Sequence, residues 1–221
     1  MYRQTWLDKL ERKCGRFAIP GLMNAVVFGM GLVFIIDLVT AANPDNTFTL
    51  SQLLYFDREA ILHGQVWRVL TFALLPPSSS PFWIVLSLYF YWLIGSALEA
   101  QWGTFKFNVY YFSGILFNIL SGMLTGSAWN TYLNMTLFLA FAVIFPNFEM
   151  LLFFVLPIKV KYLALVDAFF LVAALVYNSW PGRLSVLVSV LNFVLFFWRD
   201  GYDIIRREIR RQQNKRKWKR R

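Results

Sequence analysis

The stretch Gly95-Ser96-Ala97-Leu98-Glu99-Ala100-Gln101-Trp102-Gly103-Thr104 decides how this chain is read. A long apolar run starting at Pro81 stops at the carboxylate of Glu99, and a second apolar run begins eight residues later at Phe107. A bare carboxylate in hydrocarbon costs several kcal/mol, so Glu99 belongs close to a membrane surface, at the reversal between two helices. Gly95 permits close approach of a neighbouring helix, and Gly103 supplies the positive φ that a tight reversal requires. The stretch therefore predicts a helix-turn-helix within a membrane protein.

Composition agrees. Hydrophobic residues make up 58% of the 221, aromatics 19% and charged residues 15%, which excludes an ordinary soluble domain. One domain suffices for this length. The single cysteine, Cys14, excludes an internal disulfide and a thiolate metal cluster, and the single histidine, His63, excludes a multi-histidine metal site. No cofactor is expected. The N-terminal segment lacks a cleavable signal pattern. The net charge of +10 is concentrated at the two ends, which points to anionic lipid rather than nucleic acid.

Taken in order, residues 1–18 read as an amphipathic cytoplasmic surface helix, with Trp6, Leu10 and Phe17 set between Lys9, Arg12, Lys13 and Arg16. Span one covers 21–41, with Asn24, Gly29 and Gly31 on its packing side and Asp37 at its far end. Residues 43–80 form a half-immersed loop with short helices, in which Trp67 turns its ring to lipid and Arg68 its guanidinium to phosphates or backbone carbonyls. Span two covers 81–100 and span three 107–124. On span three Gly114, Asn118 and Gly122 recur every four residues and share a face suited to close helix packing. Span four, 130–145, is short, and 150–157 cannot cross and reads as an inner-surface segment leading to Lys159 and Lys161. Spans five (162–177) and six (184–198) follow, and the basic residues of 201–221 form a cytoplasmic tail that binds anionic lipid.

Six spans put both termini on one side. Nineteen of the 22 Lys and Arg then lie inside, with only Arg58, Arg68 and Arg183 outside, as the positive-inside rule demands. The expected location is a bacterial cytoplasmic membrane with both termini cytoplasmic, the endoplasmic reticulum membrane being the alternative.

Gly95-x-x-Leu98-Glu99-x-x-x-Gly103, preceded by Gln65-x-Trp67-Arg68-x-Leu70-Thr71, resembles the second-helix signature and the Trp-Arg element of the rhomboid superfamily, which includes rhomboid proteases and Derlin-like proteins. The resemblance spans roughly residues 20 to 200 and implies an all-α, six-transmembrane-helix rhomboid-like bundle, here residues 19–200. Phe196-Phe197-Trp198-Arg199-Asp200 looks Derlin-like. A rhomboid protease, as the resemblance implies, uses serine in a Gly-x-Ser-Gly turn at the start of span four and histidine in span six. The hydroxyl needs a base within hydrogen-bond reach to become a nucleophile. Here 129–134 reads Trp-Asn-Thr-Tyr-Leu-Asn, span six holds no histidine, and the oxyanion positions of span two fall on Trp83 and Ser87.

The chain is thus expected to be a catalytically inactive rhomboid-like protein that binds transmembrane helices of client membrane proteins, in chaperoning, quality control or trafficking. The alternative is an intramembrane serine protease with displaced catalytic residues. A transporter is disfavoured, because paired inverted repeats and broken helices are not evident. The candidate intramembrane polar site comprises Asp167, Asn118, Asn134 and Asn192. Asp167, in span five, is expected to face the bundle and to hydrogen-bond an Asn or Ser there, locking helices rather than relaying ions or protons.

Overall fold

The computed structural model describes residues 6–42, 48–152 and 156–197, and among them the side chains of all but 6–9, 151–152 and 156. The first five residues and the tail 201–221 lie outside the described residues. The chain is mostly helical: α1 (Trp6–Cys14), α2 (Leu22–Ala41), three short helices α3 (Leu50–Leu54), α4 (Arg58–Leu62) and α5 (Arg68–Thr71), then α6 (Pro81–Trp102), α7 (Thr104–Thr125), α8 (Thr131–Ile144), α9 (Val160–Tyr177) and α10 (Trp180–Phe197). Helices α2, α6, α7, α9 and α10 are long and apolar enough to cross a bilayer, which makes this an all-α polytopic membrane protein. Large side chains such as Phe28, Leu124, Phe169 and Tyr177 stand exposed on these helices, a surface suited to lipid and not to water. Helix α8, at 14 residues, rises only ~21 Å, short of the ~30 Å hydrocarbon core.

Two details at the α6–α7 reversal differ from expectation. Helix α6 runs straight through Glu99 to Trp102, and α7 starts at Thr104, so Gly103 alone makes the turn, at φ 86°. Glu99 need not end the helix, because its charge is met from another element: both carboxylate oxygens accept the N–H of Gly21, at 3.0 and 3.2 Å. Beside it Asn108 on α7 accepts the Ile19 N–H at 3.0 Å and donates to the Ile19 and Thr104 carbonyls. Together these two side chains fix the chain where it enters α2. Lys106 reaches Glu11 at 3.8 Å, which ties α1 to the start of α7.

At the other end the connection between α2 and α6 is wedged into the bundle. Phe56 and Phe72 are buried and meet edge to face, their centroids 5.7 Å apart. Asp37 on α2 accepts from the N–H groups of Leu50 and Ser51 and from the Ser51 hydroxyl, so it holds the first turn of α3. Asp57 does the same for α4, accepting from Glu59 and Ala60. The packing side of α2 is Leu22, Met23, Val26, Met30 and Val33; Asn24, expected there, is exposed. A polar amide gains nothing from an apolar seam when it can reach the headgroup level.

An antiparallel hairpin pairs β1 (Glu149–Leu152) with β2 (Leu156–Lys159), setting Glu149 opposite Lys159. The expectation was an inner-surface segment leading to Lys159 and Lys161, with no strand pairing foreseen. An apolar stretch too short to cross must still satisfy its backbone, and pairing with itself does so. Helices α9 and α10 begin earlier than expected, at Val160 and Trp180, leaving only Asn178 and Ser179 between them. Pro181 is tolerated in the first turn of α10, where its missing N–H has no helical partner to lose.

Candidate functional site

The four expected polar residues form two groups, not one. Asn118 and Asn192 lie on the seam between α7 and α10. Gly114, Asn118 and Gly122 are all buried on one face of α7, and Ser185, Ser189 and Asn192 recur on α10 with no exposed surface. Asn118 donates to the Gly114 carbonyl at 2.9 Å and to Ser189 Oγ at 3.3 Å. Asn192 donates to the Tyr110 carbonyl at 3.0 Å and accepts from Ser113 Oγ at 2.7 Å. Gly114 makes the close approach possible, since a Cβ there would stand 2.3 Å from Leu133 Cδ1 and 3.0 Å from Asn192 Nδ2. This seam is a hydrogen-bonded helix lock.

Asn134 and Asp167 belong to a second group, where α6, α8 and α9 meet. The Tyr91 hydroxyl on α6 lies within interaction range of the Asn134 side chain, of Asp167 and of Tyr111 on α7. Asp167 is half-buried and sits on the packed stripe of α9, between Val160 and Ala164 on one side and Leu171 on the other. The expected hydrogen bond to an Asn or Ser is not formed. Its Oδ2 is buried without a partner, and so are Asn134 Oδ1 and the Tyr111 hydroxyl. Asn134 Oδ1 and Asp167 Oδ2 are each an acceptor that no donor reaches. That surplus is a polar deficit in an apolar surround, and each such atom costs stability.

The region where a nucleophile turn would fall is occupied by structural contacts. Asn130 donates to the carbonyls of Ala73 and Leu75, at 3.2 and 3.0 Å, fastening the start of α8 to the loop after α5. Tyr132 accepts from the Asn178 amide across to the α9–α10 link. A cavity of about 260 Å³ opens there, lined by Trp129, Thr131, Tyr132, Asn178, Ser179 and Gly182. His63, the chain's single histidine, is exposed at the end of α4, its Nδ1 2.7 Å from the Glu59 carbonyl. Trp83 is exposed near the start of α6 and Ser87 lies one turn on, half-buried.

The motif residues all take part in the scaffold. Gly95 admits Met23 of α2, whose Cγ would lie 2.3 Å from a Cβ, and Leu98 is fully buried beside it. Arg68 is buried and directs its guanidinium to carbonyls rather than phosphates: Nη1 donates to Gln52 and Tyr55 at 3.0 and 2.9 Å, and Nε to Gln65 Oε1 at 2.7 Å. The guanidinium also stands 4.7 Å from the Tyr55 ring centroid. Trp67 is exposed and donates to the Leu53 carbonyl at 3.2 Å. Sequence reading missed Asn108 and the capping role of Asp37; a polar residue one turn inside an apolar helix, opposite a chain entry, was the available signal.

No protein-family model matches the chain, and no curated protein matches it significantly.

Proposed function

We propose that this protein is a rhomboid-like, six-span membrane protein without protease activity, which binds transmembrane helices of other membrane proteins. In this reading α8 is the sixth crossing, both termini are cytoplasmic, and the basic tail rests on anionic lipid. The order of the Trp67-Arg68 and Gly95-Leu98-Glu99-Gly103 elements along the chain supports the family reading. Both elements serve the scaffold, Arg68 by stapling the loop and Gly95 by admitting α2.

The observation that carries the binding role is α9. Only 11% of its apolar window is buried, the least of the five long helices, yet it carries a half-buried carboxylate, Asp167, near its middle. A helix so thinly covered, next to the 14-residue α8 that leaves the bilayer unmatched, gives an incoming helix both surface and reason to pack. Asn130 and Tyr132 are committed to structural hydrogen bonds where a nucleophile would have to act, which favours binding over proteolysis.

Site-specific photocrosslinking along α9 in native membranes tests this, and recovery of transmembrane helices of other proteins is the expected result. Labelling of a serine by a fluorophosphonate, lost on mutation of that serine, would favour the protease reading instead.

A further inference from the structure

We infer that the seam of Tyr91, Asn134 and Asp167 receives a basic residue, lysine or arginine, from a transmembrane helix packed on α9. This rests on the binding role proposed above and names the chemistry of the partner. Asp167 lies eight positions into an apolar helix of 18 residues, on its packed stripe and half-buried there. One turn further Phe170 is exposed, as are Val166 and Phe169, so the carboxylate can be approached from the surface that faces lipid.

Among the described residues no basic side chain supplies the missing cation. Helices α6 and α8 contain no Lys or Arg. On α9 the Lys161 ammonium lies 5.0 Å from the Tyr162 ring centroid, a turn and a half below Asp167. Arg183 on α10 is occupied at the opposite end of α9, donating to the carbonyls of Val176 and Asn178 at 2.8 and 2.9 Å. Asp167 Oδ2 and Asn134 Oδ1 are left as two buried acceptors without donors, beside the Tyr91 hydroxyl. An ammonium or guanidinium is the group that satisfies several such oxygens at once and brings the compensating charge. A bare hard cation fits less well, since it calls for about six oxygen ligands.

The full-length protein, reconstituted in phosphatidylethanolamine–phosphatidylglycerol vesicles with p-benzoylphenylalanine in place of Phe170, is offered synthetic Leu/Ala helices of about 21 residues. These carry Lys, Leu or Glu at the centre. The Lys helix should crosslink about fivefold or more above the Leu helix, and Asp167→Asn should bring it to the Leu level. Asp167→Lys should transfer the preference to the Glu helix. Because the Lys-to-Leu comparison leaves the protein untouched, misfolding of a variant cannot imitate the result. Equal capture of the Lys and Leu helices, with other helices still recovered from native membranes, overturns this inference and leaves the binding role standing. Capture of no helix in either setting overturns both. Stabilisation by sodium that Asp167→Asn abolishes, without any Lys preference, would identify an ion site in its place.

Discussion

Glu99 on α6 accepts the backbone N–H of Gly21 in both carboxylate oxygens, across 78 residues of chain, and so fixes where α2 starts. Gly21 is left-handed, at φ 65°, and no side chain of its own segment caps that helix. The acid of another helix takes over the capping role, and the electrostatics favour it, because the N-terminus of α2 carries partial positive charge.

Glu99→Ala should therefore cost about 1–2 kcal/mol, the loss of a part-buried hydrogen bond to a charged acceptor. Glu99→Gln keeps an acceptor and should cost less. Chemical unfolding in mixed micelles, followed by tryptophan fluorescence, measures both; equal losses would mean that charge, not acceptance, matters.

Arg68→Lys should destabilise nearly as much as Arg68→Ala, by about 2 kcal/mol, because a single ammonium cannot reproduce the planar fork that joins two carbonyls and Gln65. Limited proteolysis of the α2–α6 connection should speed up in both variants, since the guanidinium ties the α3 segment, at Gln52 and Tyr55, to Gln65 before α5.

Gly95→Ala and Gly103→Ala should fail for different reasons. At Gly95 the added methyl meets Met23, 2.3 Å away, and overpacking of about 1–3 kcal/mol follows. At Gly103 nothing lies within 4 Å, so the loss, about 1 kcal/mol, comes from the positive φ alone. Met23→Ala should rescue the first variant and leave the second unchanged.

Asn192→Leu removes the links to Ser113 and the Tyr110 carbonyl and should weaken the α7–α10 pairing by about 1 kcal/mol. Disulfide trapping between cysteines introduced at 113 and 192 would report the same seam: rapid closure in oxidised vesicles is expected.

Cys14, the sole thiol, is exposed at the last position of α1. With both termini cytoplasmic, as proposed, a membrane-impermeant maleimide should label it in inverted vesicles and not in intact cells. Labelling of intact cells would reverse the proposed orientation.

The long helices were legible because a run of about 20 apolar residues has few alternatives, and Pro81, Pro146 and Gly103 punctuate the runs. Ends were less so. Helix α6 outran Glu99 because the hydrogen-bond donor that steadies the acid sits in a distant segment, and no local pattern announces a partner 78 residues away. The hairpin was missed for a related reason: periodicity over four residues does not separate a strand from a surface segment. At the polar site, residue type told which side chains would lie inside the bundle, and Asn118 and Asn192 do. Grouping was hidden, because which acceptors find donors depends on how α6, α8 and α9 cross. Asp167 stands out for that reason, as an acid at depth whose expected Asn or Ser partner does not come within reach.

The single-residue reversal at Gly103 bears on how the protein is made. A bend of one residue leaves α6 and α7 no spacer in water, so insertion as a paired hairpin is the expected route, with the acid near the bend kept at the surface where Gly21 meets it. Biogenesis would then proceed by docking a completed pair onto the first crossing, and a lengthened bend should uncouple the two steps.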